Sequence, residues 1–146
     1  MKKNKGRLSL TTIVLILMIH LLSSPAWAGS VNVITGASTP TSAIDEAEIQ
    51  KIFLGKTKTW PDGSPVEFVV LESGDVHDNF LKLYVKKNPD QFNTYWKKQV
   101  FTGKGKSPKT FGSEAELAAY VAGKTGTIGY VSASAELAGA KVINEK

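Results

Sequence analysis

Residues 72–80 carry the side chains of this chain best suited to chemistry, among them Glu72, Asp75, His77 and Asp78. Carboxylates beside a histidine can form an acid/base pair or bind a divalent metal ion. However, the stretch has neither the calcium-loop pattern nor a spaced histidine pair. Consecutive residues at the start of a helix also point in different directions. The sequence therefore predicts no enzyme activity, no metal site and no cofactor.

Small and hydroxyl-bearing residues follow two predicted strands, at 31–35 and 66–71. In an open α/β sheet, the loop after a strand is the usual position for a ligand. We therefore predict that Ser38 and Thr39, in the loop after the first strand, can bind a ligand. Two alternatives remain open. The first loop can be a plain strand–helix connection, and Asp75 as an N-cap would occupy the free N–H groups of the following helix.

The first helix has its own start and stop signals. Asp45 is predicted as its N-cap, with Glu48 completing a capping box. Ile49, Ile52 and Phe53 follow at helical spacing and predict one buried face. Gly55 is placed to end the helix in a left-handed conformation.

Three more helices and two more strands are predicted further along the chain. An apolar stripe at 76–84 predicts the second helix. The third begins at the cap Asn88, with Phe92, Tyr95, Trp96 and Val100 as its apolar stripe. The fourth covers 113–123, and strands follow at 127–131 and 141–144. Within the first of these strands, Gly129 is predicted to allow a close approach of a neighbouring segment. This alternation predicts an α/β fold with a mixed, mostly parallel sheet flanked by helices.

The amino-terminal residues resemble an export signal. A basic start precedes an apolar stretch at 8–22, and Ala26-Trp27-Ala28 fits a cleavage site. Cleavage predicts a signal peptide at 1–28 and one exported domain at 29–146. An uncleaved membrane anchor is the alternative.

Charge and cysteine content exclude several other classes of protein. Four of the 18 basic residues precede residue 29 and none of the 13 acidic residues does, which leaves 14 basic against 13 acidic residues. A nearly neutral domain is not expected to bind nucleic acid, nor to insert into a membrane after cleavage. The chain has no cysteine, so disulfides and thiolate ligands are excluded.

Three motifs together are distinctive. They are Glu48-Ile-x-x-Ile-Phe-Leu-Gly-Lys-x-x-x-Trp60, the segment Tyr95-Trp96 followed by Phe101-Thr-Gly-Lys-Gly105, and Gly126-Thr-Ile-Gly-Tyr-Val131. Over about residues 31–133, the chain resembles the phosphate-binding proteins of bacterial ABC importers, and in particular their small single-lobe relatives. The resemblance implies one lobe of the periplasmic-binding-protein fold. It also implies an oxyanion ligand such as phosphate, and an ABC importer as partner.

The resemblance has one departure, and it lies in the ligand loop. In the full-length receptors this loop carries an arginine and a Ser-Gly-Thr-like turn that bind phosphate. Ser73 and Gly74 match part of the turn, and the resemblance makes them, with the adjoining Asp75, candidate ligand-binding residues. Glu72 lies near the place of the arginine. Two functions therefore remain open. The first is an exported solute-binding domain for phosphate or another small oxyanion. The second is a periplasmic protein-interaction module that has kept the fold but lost ligand binding, with another envelope protein or a second copy of the chain as partner.

Overall fold

The fold is taken from a computed structural model, which describes residues 29–146. The predicted signal peptide, with His20, lies outside the described residues. The strands are β1 (Val31–Thr35), β2 (Glu67–Leu71), β3 (Lys109–Phe111), β4 (Thr127–Ser132) and β5 (Lys141–Glu145). The helices are α1 (Glu46–Phe53), α2 (Asp75–Phe80), α3 (Pro89–Phe101) and α4 (Glu114–Gly123), and a π-helical turn (Leu81–Val85) continues α2.

The five strands form one mixed sheet in the order β3-β2-β4-β1-β5. β2 is parallel to β3 and β4, whereas β1 is antiparallel to both β4 and β5. Only β1 therefore runs against the other four strands. This confirms the predicted α/β fold with a mixed, mostly parallel sheet. We call the edge at which β2, β3, β4 and β5 end the carboxyl edge, and the opposite edge the amino edge.

Helices cover both faces of the sheet. On one face, α4 packs against β4, and a Cβ atom added at Gly129 would lie 2.7 Å from the Leu117 side chain. The predicted close approach at Gly129 is therefore confirmed. On the other face, Phe80 stacks on Tyr130 with 3.8 Å between ring centroids, and Phe53 lies 4.6 Å from Phe80. These side chains of α1, α2 and β4 are fully buried.

Local capping signals set the helix starts. The Asp45 carboxylate accepts the Glu48 N–H at 2.7 Å, as predicted. The Glu48 carboxylate does not complete the box; it accepts hydrogen bonds from Thr57 and Lys51 instead. At α3 the box is complete, because Asn88 and Gln91 exchange both bonds.

Two sequence-based expectations are corrected. The three-residue edge strand β3 was not predicted, because Lys-Thr-Phe has no apolar run and forms a strand only by pairing with β2. Val100 was predicted in the apolar stripe of α3 but is 41% exposed, because α3 extends past the core at its carboxyl end. Among residues 29–146, no helix is long and apolar enough to cross a membrane.

Candidate functional site

A cleft of about 780 Å³ opens at the carboxyl edge. It lies between the start of α2, the end of β4 and the start of β1, where Val31 pairs with Ser132. Its lining residues come from these three segments: Gly29, Ser30, Val31, Asp75, Val76, Asp78, Asn79, Ser132, Ala133 and Ser134. In an open α/β sheet, ligands bind in a crevice beyond the carboxyl ends of the strands. The position of this cleft makes it the candidate binding site.

The polar groups of the cleft are hydroxyls, an amide and two carboxylates. The Ser132 and Ser134 hydroxyl oxygens lie 3.4 Å apart, and Asn79 adds an amide. Asp75 and Asp78 give the cleft negative charge, and none of its lining residues is a lysine or arginine. The cleft therefore offers hydrogen bonds to a small polar ligand while opposing a highly charged anion.

Three of the five predicted site residues lie at this edge. Ser73, Gly74 and Asp75 are exposed between β2 and α2, and Asp75 lines the cleft. Asp75 was expected as a possible N-cap, and the structure corrects this. Gly74, with φ of 109°, is the N-cap, and Asp75 is the first residue of α2. No side chain caps this helix, because glycine has none to offer.

The other two predicted residues, Ser38 and Thr39, lie at the amino edge. Their loop follows β1, whose last residue Thr35 pairs with Ile128 near the start of β4. The Thr39 hydroxyl is buried, accepts the Gly126 N–H at 3.0 Å and lies 3.0 Å from the Thr35 hydroxyl. In this structure Thr39 joins its loop to the start of β4. The structure does not bring Ser38 and Thr39 together with Ser73, Gly74 and Asp75.

His77 points into the core and away from the cleft. Its side chain is 3% exposed, and its Nδ1 lies 2.5 Å from the Tyr130 hydroxyl, which also accepts the Leu71 N–H at 3.0 Å. These contacts are satisfied when the Tyr130 O–H donates to Nδ1 and the ring proton stays on Nε2. Within residues 29–146, no three His, Asp or Glu side chains are grouped to hold a metal ion.

Burial gives His77 a pH-dependent effect on stability. It lowers the pKa of His77, against an opposing attraction from the Asp78 carboxylate. The unfolded state therefore takes up a proton near pH 6.5, before the native state does. The buried, neutral His77 therefore makes its full contribution to the free energy of unfolding above about pH 6.5. As pH falls further, it is lost at up to about 1.4 kcal/mol per pH unit, until the native histidine is also protonated.

We expect His77→Gln to flatten the pH dependence of stability, since glutamine can still accept the Tyr130 O–H but does not titrate. Urea denaturation at several pH values between about pH 7 and about pH 5 measures how steeply the free energy of unfolding changes with pH around the histidine pKa. The fold lowers the pKa of four carboxyls, which therefore titrate below this window: Glu46, Glu48, Asp62 and Glu67. Asp90→Asn, at an exposed carboxyl, is the control. Equal slopes for His77→Gln and the unaltered protein would contradict the role of this histidine.

Sequence reasoning missed Asn79, Ser132 and Ser134. The two serines lie at and after the carboxyl end of β4, so the rule that selected Ser38 also applied to them. Asn79 gave no such signal. It enters the cleft because it lies one helical turn after Asp75.

Comparison with known proteins supports the fold and not a particular ligand. No family model matches the sequence, and no curated protein is similar to it. Solved structures do match, among them phosphate ABC transporter substrate-binding proteins. This chain has the fold of about half of each of these proteins.

Three of these structures show how much is shared. One is a Clostridium perfringens protein described as a phosphate ABC transporter substrate-binding protein and solved with bound phosphate. Its TM-score is 0.62 and its sequence identity 18%, and the match covers 78% of this chain and 44% of the Clostridium protein. An ABC-type phosphate transport receptor from Vibrio cholerae has a TM-score of 0.62 and 13% identity, and the match covers 78% of this chain and 45% of the receptor. PstS from Borrelia burgdorferi has a TM-score of 0.59 and 14% identity, and the match covers 94% of this chain and 54% of PstS. The chain spans about half the length of the structures that it matches.

Proposed function

We propose that this protein is an exported, periplasmic solute-binding domain whose carboxyl-edge cleft binds phosphate or another small oxyanion for an ABC importer. The proposal includes cleavage of residues 1–28 as a signal peptide. One observation carries it: a cleft of about 780 Å³ lies beyond the carboxyl ends of β2 and β4. The phosphate named in the description of the Clostridium perfringens structure supports the choice of ligand.

The groups in the cleft favour a protonated oxyanion over a fully ionised one. Hydroxyls of Ser132 and Ser134 and the Asn79 amide can donate to its oxygens. A carboxylate such as Asp75 repels a dianion but accepts a hydrogen bond from a protonated oxygen. A cleft open to solvent also leaves one side of the ligand hydrated. We therefore expect a dissociation constant on the order of 1 mM, about −4 kcal/mol.

Calorimetry with phosphate tests this proposal on the purified protein. We expect binding to tighten between about pH 8 and about pH 6, because inorganic phosphate changes from mainly the dianion to mainly the monoanion within this interval. Asp75→Asn should reduce this pH dependence, since the amide neither repels the dianion nor needs the protonated form. Asp90→Asn is the control, because Asp90 is an exposed carboxyl outside the cleft. Absence of heat with millimolar phosphate at the lower pH would contradict oxyanion binding, and sulfate, which stays a dianion, should bind more weakly than phosphate.

A second candidate function is binding of another envelope protein, or of a second copy, at the same cleft. The observation that favours it is the pair Asp75 and Asp78 without a lysine or arginine in the lining. A basic segment of a partner would complement this charge. The partner would also supply the second wall of the cleft.

Ser73→Trp separates the two functions. A bulky indole beside the cleft should abolish oxyanion binding, whereas a broader protein interface should remain largely intact. Native mass spectrometry of the purified protein then reports the number of copies and any retained small molecule. A monomer that binds phosphate, and loses it on Ser73→Trp, supports the first function and contradicts the second.

A further inference from the structure

A second cavity, of about 610 Å³, opens at the amino edge. It lies between the loop after α1 and the loop before β3, next to the start of β2 at Glu67 and Phe68. It shares no lining residue with the carboxyl-edge cleft. Its volume is within the range of about 300–1,000 Å³ that is usual for small-molecule sites. It is thus a separate site, at the other end of the sheet from the candidate oxyanion site.

The floor of this cavity is apolar and held in place. It consists of Ile52, Phe68 and Trp96, with 5.2 Å between the ring centroids of Phe68 and Trp96. The Trp96 indole N–H donates to the Phe53 carbonyl at 3.1 Å, which fixes the ring. An apolar surface of this kind favours a ligand with an aromatic or apolar body.

Glycines allow both loops to close on the Trp96 ring. A Cβ atom added at Gly55 or at Gly105 would lie 2.8 Å from a ring carbon of Trp96. Such a distance is too short for any side chain. The two loops therefore approach the same indole. One loop brings Lys58 to the rim of the cavity, and the other brings Lys104 and Lys106.

The rim carries an excess of positive charge. Lys58, Lys104, Lys106 and Lys109 line the cavity and are exposed, whereas Glu67 is its one acidic lining residue. The Glu67 carboxylate is already bonded to Lys124 and to the Tyr120 hydroxyl. Within the part of the chain that the structure describes, none of the four rim lysines forms an ion pair. Lys109 lies over the Tyr120 ring, 4.3 Å from its centroid, and its charge also acts on the Glu67 carboxylate. The cavity therefore combines an apolar floor with three lysines, Lys58, Lys104 and Lys106, that form no ion pair within residues 29–146.

We propose that this amino-edge cavity binds a small amphipathic anion. Its flat apolar body packs on Phe68 and Trp96, and its carboxylate, sulfate or phosphate group lies among the rim lysines, mainly Lys104 and Lys106. An inorganic oxyanion would leave the apolar floor uncovered, and an uncharged ring would leave the lysines unpaired. A molecule that carries both an apolar body and an anionic group covers the floor and pairs with the lysines at the same time.

Heteronuclear NMR with three probes tests the proposal: naphthalenesulfonate, uncharged naphthalenemethanol and inorganic sulfate. We expect naphthalenesulfonate to shift the Trp96 indole and Gly105 amide signals, and to bind roughly tenfold more tightly than either other probe. Lys104→Gln with Lys106→Gln should weaken it by roughly fivefold to tenfold. Because both side chains are exposed, the double variant should unfold at an unchanged temperature.

Lys82→Gln with Lys98→Gln removes the same charge outside this cavity and is the matched control. It should change the affinity by less than about twofold. Equal weakening in the two double variants would contradict the site, as would equal affinities for the sulfonate and the alcohol. Signal shifts that grow with protein concentration alone would assign the cavity to a second copy of the chain and overturn the proposal. Phosphate binding at the carboxyl edge is unaffected by any of these outcomes.

Discussion

Replacing Trp96 with alanine should lower the free energy of unfolding by about 3–5 kcal/mol. The indole is 7% exposed and is contacted by Phe68, Phe92 and Tyr95. Its removal leaves a cavity and deprives the Phe53 carbonyl of its indole donor. Because small domains have about 5–15 kcal/mol of stability, this loss is a large fraction of the total. Urea denaturation, with the midpoint and slope fitted together, measures it.

Phe101→Ala is the matched control for this experiment. It truncates an aromatic residue of the same helix, but Phe101 is 92% exposed. We expect a change within about 0.5 kcal/mol. If Phe101→Ala cost as much as Trp96→Ala, the assignment of α3's buried side would be wrong.

Gly129→Val should destabilise the protein by about 3 kcal/mol, the upper part of the range for overpacking a core. The added Cβ would lie 2.7 Å from Leu117, 3.0 Å from Val121 and 3.2 Å from Val69. These side chains belong to α4 and β2, so the helix must move off the sheet to accept the new one. The strand propensity gained by valine recovers at most about 1 kcal/mol. Thermal and urea unfolding measure the loss.

A double variant identifies the mechanism. Leu117→Ala alone should cost about 2–5 kcal/mol, because it leaves a cavity in a fully buried site. Combined with Gly129→Val, it makes room for the valine, so the double variant should lose less than the sum of the two single losses. Gly123→Ala, with nothing within 4 Å of the added Cβ, should be nearly neutral. Strict additivity of the two losses would show that α4 does not press on Gly129.

Much of the fold could be predicted because its signals are local. Asp45 and Asn88 cap helices through bonds to residues three positions away, so the chain encodes those helix starts directly. The apolar runs of β2 and β4 are buried in the sheet as expected. β3 and the exposure of Val100 could not be found in this way. The strand β3 depends on pairing with β2, and the exposure of Val100 depends on where the core ends.

The candidate site was predicted in part. The sequence by itself determined that Ser73, Gly74 and Asp75 follow a strand and that no basic side chain accompanies them. It also determined the Trp96 and glycine motifs, whose purpose becomes clear only when Gly55 and Gly105 meet the same ring.

Only the tertiary structure decided which loops share an edge. Ser38 and Ser73 each follow a strand, yet they lie at opposite ends of the sheet because β1 pairs antiparallel with β4. Strand direction depends on hydrogen bonds between segments almost a hundred residues apart, and no local pattern records it. The same long-range pairing placed Ser132 beside Val31 and so formed the carboxyl-edge cleft.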